Sequence, residues 1–169
     1  MRRTIVKRLA LACIWTAEAV ACTCVSFPTA IEATTSSALV FRGTVVKVER
    51  LSEHPLMRGR QRYAYTFRVA EYWRGNPTRR IRLYVLEAGM DCMGTRFDRG
   101  KEYLVFGSEE RAKDYQPDLD FFWFGWTDVL APGTPMFQPI TACVPGGDTS
   151  AAEIRKQLRQ MGRGRVPKQ

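Results

Sequence analysis

Histidine is nearly absent: there is one, His54, in 169 residues. It sits beside Pro55 in a polar stretch, where a lone imidazole reads as solvated. No His-Glu-x-x-His, no Gly-x-Ser-x-Gly and no phosphate-loop pattern occurs. Asp118 and Asp120 are close in sequence, but two acids bracketing the start of a strand are ordinary. These absences argue against an enzyme, against a bound cofactor and against a metal site built from this chain alone. Long apolar runs are also missing. Leu9 to Ala17 is apolar apart from Thr16, far short of the roughly 20 residues that cross a bilayer, and no later segment is longer. There is no repeat of fixed period and no low-complexity tract. The small acid count, 17 against 26 Lys and Arg, leaves a formal charge of +9.

The first 21 residues have the layout of an export signal. Arg2, Arg3, Lys7 and Arg8 precede the short apolar run, and Ala19-Val20-Ala21 is a small-residue cleavage site. The expected organisation is therefore a leader over 1–21, one domain over 22–162 and a frayed basic tail over 163–169. The expected location is secreted or periplasmic. Lipidation at Ala21-Cys22 is the competing reading. Ala19 stands where such sites usually have Leu, and Glu18 places a charge nearby, so simple cleavage is preferred. Cleavage leaves 148 residues, enough for one domain that buries about 68–70% of its unfolded surface. The leader removes four basic residues and Glu18, so 22 bases face 16 acids, a net +6. That surplus suits contact with anionic envelope polymers or lipid headgroups, and equally a solubilising surface.

Cys13 leaves with the leader. Cys22, Cys24, Cys92 and Cys143 remain, an even count that in an exported chain reads as two disulfides. A Cys22–Cys24 bridge would span one residue, which disulfide geometry disfavours. Two arrangements stay open, each tying the N-terminus to the middle and the end of the chain. A four-thiolate zinc site is the rival, and Cys-x-Cys with two lone cysteines matches it poorly.

The body of the chain is β-rich. Ala38 to Glu49 is a strand with Gly43 inside it, the signature of a bulge or sharp bend. Gln61 to Trp73 alternates, with Tyr63, Tyr65, Phe67 and Val69 on one face and Arg62, Thr66 and Arg68 on the other. Arg74-Gly75-Asn76-Pro77 is a turn. Arg80 to Leu86 alternates again, and Lys101 to Gly107 is a short apolar strand. Asp120 to Trp126 is an apolar strand, and Pro132 to Pro139 is turn-rich. Phe27 to Ser37 fits either a helical turn or a loop. Ser150-Ala151-Ala152-Glu153 reads as a capping box opening an amphipathic helix with Ile154, Leu158 and Met161 on one face and Gly162 closing it. About five short strands and one terminal helix predict an all-β fold, a small closed barrel of five to six strands with a C-terminal helix.

Several features in order resemble the tissue inhibitors of metalloproteinases, specifically their N-terminal netrin-like OB-fold domain. Cys22-Thr23-Cys24 opens the mature chain. Val40-Phe41-Arg42-Gly43 follows a short segment of helical character. Tyr65-Thr66-Phe67-Arg68-Val69 leads to Trp73-Arg74-Gly75. Cys92 follows the next strand, Gly100-Lys101-Glu102-Tyr103-Leu104-Val105 resembles the family's Gly-x-Glu-Tyr-Leu strand, and Cys143 precedes the last helix. The resemblance covers most of the chain after Cys22. It implies bridges Cys22–Cys92 and Cys24–Cys143. It also implies that the amine and carbonyl of Cys22 chelate the zinc of a target metalloprotease, with Thr23 entering the protease's primed-side pocket.

The expected function is thus a monomeric metalloprotease inhibitor. The alternative is a non-inhibitory netrin-like module binding another envelope protein, with Phe122, Phe124 and Trp126 as its partner surface. A third reading, a nucleic-acid binder using Arg62, Arg68, Arg79, Arg80 and Arg82, conflicts with export, so nucleic acid is not an expected partner.

Overall fold

The computed structural model describes residues 29–53, 61–86, 96–111, 126, 129–131, 134–139 and 146–168. Its elements are α1 (Ala30–Ser36), β1 (Leu39–Glu53), β2 (Gln61–Arg74), β3 (Arg80–Leu86), β4 (Glu102–Arg111), β5 (Pro135–Pro139), β6 (Gly147–Asp148) and α2 (Ala152–Met161). The strands run β1-β2-β3-β5-β4, and β4 returns to β1, closing a five-stranded barrel; β6 pairs with β4 at Tyr103 and Leu104, on the edge that β5 takes farther along. The β3–β5 pairing is parallel and the others are antiparallel. This is the expected all-β, OB-like barrel with a C-terminal helix.

Alternation decides what enters the barrel. Phe41, Val45, Tyr65, Phe67, Val69, Ile81, Leu83, Val85, Tyr103 and Val105 face inward and form the main core. Phe97 joins them from just before β4. Its ring meets Tyr65, Phe67 and Tyr103 edge to face at 5.2, 5.1 and 4.9 Å, the geometry that ring quadrupoles favour. Burial pushes the Tyr65 phenol above its ordinary range. A second core lies outside the barrel wall, where α1 and α2 cover Val40, Leu104 and Phe106 with Ala30, Ala33 and Ile154.

β1 is long enough to serve two neighbours only because it bends. Its register against β2 slips between Arg42 and Gly43 and again between Val45 and Lys47. A Cβ on Gly43 would stand 2.9 Å from the Arg68 carbonyl oxygen and 3.1 Å from the Phe41 ring. The bend predicted from Gly43 is present, and close backbone approach is its reason.

Three expectations need correction, and a fourth lies almost wholly outside the described residues. Pro135–Pro139 is a strand, not part of a turn-rich segment; its prolines sit at the two ends, where a missing N–H is tolerated. The Asp120–Trp126 strand falls outside the described residues except for Trp126, which is in no strand. Ser150 does not cap α2. The N-cap is Ala151 without a side-chain hydrogen bond, because Ser150 belongs to a turn in which its N–H donates to Asp148 Oδ1 at 2.8 Å. The capping box belongs instead to α1. There the Glu32 N–H donates to Thr29 Oγ1 at 3.2 Å and the Thr29 N–H donates to Glu32 Oε2 at 2.7 Å.

The last correction concerns the tail. Gly162 ends α2 at φ 69°, and its carbonyl accepts from Trp73 Nε1 at 3.0 Å. Arg165 then pairs with Tyr72, N–H to carbonyl in both directions at 2.8 Å. Its guanidinium lies 4.7 Å from the Tyr72 ring centroid. The tail docks because β3 covers β2 only from Arg62 to Arg68, leaving the edge at Tyr72 in need of partners.

Candidate functional site

The N-terminal residues expected to act on a protease, Cys22 and Thr23, lie outside the described residues. So do Cys24, Cys92 and Cys143, and with them both expected bridges, Cys22–Cys92 and Cys24–Cys143. His54, Asp118, Asp120, Phe122 and Phe124 also lie outside. The description takes up the chain at Thr29, at the start of α1. The capping box draws the Glu32 carboxyl below its ordinary value, chiefly through the backbone N–H of Thr29. Thr29, Ala33 and Ser37 continue the same hydrogen-bonded path into β1. α1 packs on α2 and on the barrel wall through Ala30 and Ala33.

Trp126 is the one residue of the expected partner surface that is described, and it is buried, with 5% of its surface exposed. It therefore cannot serve as a free contact. Its ring meets Tyr84 at 5.6 Å and lies under the guanidinium of Arg62 at 5.2 Å. Its carbonyl accepts from the N–H groups of Val129 and Leu130. With Met136, Leu51, Val129 and Leu130, it forms a third apolar cluster. This cluster covers one half of the outer face of the β1-β2-β3 sheet.

The arginines of this strand face divide accordingly. Arg62 is fully buried beneath that cluster. Its Nε donates to the Ser52 carbonyl at 3.0 Å, and its second guanidinium nitrogen donates to Ser52 Oγ at 2.5 Å and the Glu53 carbonyl at 3.3 Å. Beside it, Gln61 Nε2 donates to the Leu51 carbonyl and Gln61 Oε1 accepts from Arg50 Nε at 2.6 Å. Burial of a strand-face arginine was not legible from alternation, because the cover comes from a segment more than sixty residues away.

The other half of the face is open. Arg68 and Arg80 stand directly opposite each other on β2 and β3, both exposed, with exposed Arg79 preceding Arg80. Thr44 continues their row on β1 and Glu102 ends it on β4, while Lys47, Thr66 and Arg82 form the next. One carboxylate serves the second row: Glu49 meets Lys47 at 3.1 Å and Arg82 at 3.3 Å. Arg68, Arg79 and Arg80 have no acidic partner among the described residues.

Among the described residues no group of three or more His, Cys, Asp or Glu could hold a metal ion, and no helix is long and apolar enough to cross a membrane. No protein-family model matches the chain, and no curated protein sequence matches it.

Proposed function

We propose that the protein is an exported inhibitor of zinc metalloendopeptidases, of the type the Cys22-Thr23-Cys24 resemblance implies. The observation that carries the reading is the order of elements: a capped N-terminal helix, a closed OB-like barrel and a C-terminal helix packed on the first. In such an inhibitor a rigid body must present the chain's start, because affinity from two chelating atoms survives only if little freedom is lost on binding. Six residues separate Cys22 from the Thr29 cap. Bridges from Cys22 and Cys24 to Cys92 and Cys143 would immobilise that interval. The α-amine, ordinarily near pKa 7.7–8.0, gives up its proton to zinc at little cost, and it would displace the zinc-bound water together with the Cys22 carbonyl.

The test compares two forms of the exported chain, one starting at Cys22 and one carrying a single extra alanine before it. Intact mass with and without reduction first establishes the start and two disulfides. The form starting at Cys22 should inhibit at least one endopeptidase of the His-Glu-x-x-His class, and the extended form should not. Equal inhibition by both forms, or none by either across such a panel, overturns the reading and leaves a netrin-like binding module. An acyl group on Cys22 overturns it as well.

A further inference from the structure

Beyond protease inhibition, and independent of it, the positive charge of the molecule is gathered at one end of the chain. Of the 22 bases and 16 acids after residue 21, six bases and one acid follow Ala151, which leaves 16 bases against 15 acids before it. The six are Arg155, Lys156, Arg159, Arg163, Arg165 and Lys168, all exposed. Arg155 and Arg159 stand four apart on α2, a spacing at which like charges repel. Glu153 meets Lys156 at 3.9 Å, and Arg155, Arg159 and Arg163 have no acidic partner among the described residues.

The returning tail sets an apolar side chain beside these charges. Neighbours on β2 face opposite ways: Tyr72 enters the barrel core and Trp73 the helical one. Arg165 pairs with Tyr72 and lays its guanidinium on that ring. Gly164 therefore faces the α2 side, where a Cβ would stand 3.2 Å from the Trp73 ring. Val166, two residues on, shares that side and is 71% exposed. It is held there, because Arg165 is bonded to Tyr72 through both backbone groups and Pro167 is buried.

We infer that α2 and the tail dock the protein on an anionic phospholipid bilayer, with Arg155, Arg159 and Arg163 on lipid phosphates and Val166 entering the headgroup boundary. Charge complementarity selects an anionic partner, and Val166 selects among anions. An interfacial site combines basic residues with apolar side chains that insert beside them, and Val166 is the side chain in that place. A polyanion in solution gives an exposed valine nothing to enter. Single strands of nucleic acid are held by exposed rings on which bases stack. Here Trp73 packs against the helical core and donates to Gly162, and Tyr72 lies in the barrel core under Arg165.

The probe is a vesicle of phosphatidylglycerol and phosphatidylcholine in equal parts, at about 50 mM salt, where charge contacts are little screened. Cosedimentation of the exported, unacylated chain is the readout. The chain should bind these vesicles and not vesicles of phosphatidylcholine alone. Arg155→Gln with Arg159→Gln should weaken binding by about tenfold or more, since each basic residue near an anionic surface contributes about fivefold. Arg68→Ser with Arg80→Ser, an equal loss of charge on the outer face of β2 and β3, should change it by less than about twofold. Val166→Ser should weaken vesicle binding by about threefold or more and leave binding to dextran sulfate unchanged. Its position is exposed, so this variant keeps the test decisive if the α2 variant folds poorly. No binding to the mixed vesicles overturns the proposal. Equal weakening by the two double variants overturns it in favour of net charge alone. Vesicle binding that Val166→Ser does not alter overturns it in favour of charge contact with any polyanion.

Discussion

Arg62 shows how one residue can be misjudged by pattern and corrected by context. In β2 it alternates with Tyr63 and Tyr65, so it reads with the solvated side chains. That assignment of face is right: it points away from the barrel core, as Arg68 does. Its burial is set by the Trp126 turn folding over it. Inside, its planar donors meet two β1 carbonyls and a hydroxyl, those of Ser52 and Glu53. Arg62→Ala should therefore destabilise the protein by about 2–4 kcal/mol, combining the lost packing under Trp126 with the lost charge-assisted hydrogen bonds. Arg62→Lys should recover only part of that, since an ammonium cannot span the same fork of acceptors. Urea denaturation of both variants measures this. A loss under about 0.5 kcal/mol, typical of an exposed position, would show that the burial is unimportant to stability.

At the scale of elements, the strands were the legible part and the helix starts were not. Period-two alternation over Gln61 to Trp73 and Arg80 to Leu86 is long enough to fix both strand and face, and β3 begins and ends where the alternation does. β5 escaped because two prolines frame five residues, a turn signal unless the partner strand is known. The four-residue Ser/Thr-x-x-Glu pattern occurs before both helices. Only tertiary context tells them apart, since at α2 the Asp148 turn has already claimed Ser150. Thr29→Ala should thus cost about 1 kcal/mol, whereas Ser150→Ala should leave the α2 start intact. The Thr29 effect also has a pH signature. Glu32 has its folded pKa lowered from 4.5, first by the Thr29 backbone N–H. Its contribution is therefore fully present above about pH 4.5 and fades as pH falls through the lowered folded value. Melting of Glu32→Gln against the parent should show a difference at pH 7 that shrinks below pH 4. A difference that grows with acidity would exclude the reciprocal cap.

At the scale of the whole molecule, closure depends on unequal seams. β1 pairs with β2 and β4 over long registers, while β3 and β5 meet only at Leu83 and Phe137. Composition and alternation can announce a barrel, but they do not reveal which seam is thin or what reinforces the ends. The tail expected to fray does reinforce one: it returns from α2 to β2 and continues the edge that β3 leaves at Arg68. The α2 helix, which covers Leu104 and Phe106, is thereby held at its C-terminal end as well as by its apolar face. Trp73 sits at that junction, packed against the helical core and donating to Gly162. Removing residues 163–169 deletes both Tyr72–Arg165 hydrogen bonds and the cation on the Tyr72 ring. At about 1 kcal/mol for each hydrogen bond and a drop of about 2–4 °C per kcal/mol in a chain of this size, the truncated protein should melt several degrees lower. The Tyr72 amide should lose its protection from hydrogen exchange, while the Phe67 amide in the middle of the same strand keeps its own. A truncated chain that melts with the parent and retains protection at Tyr72 would show that the tail follows the fold without holding it.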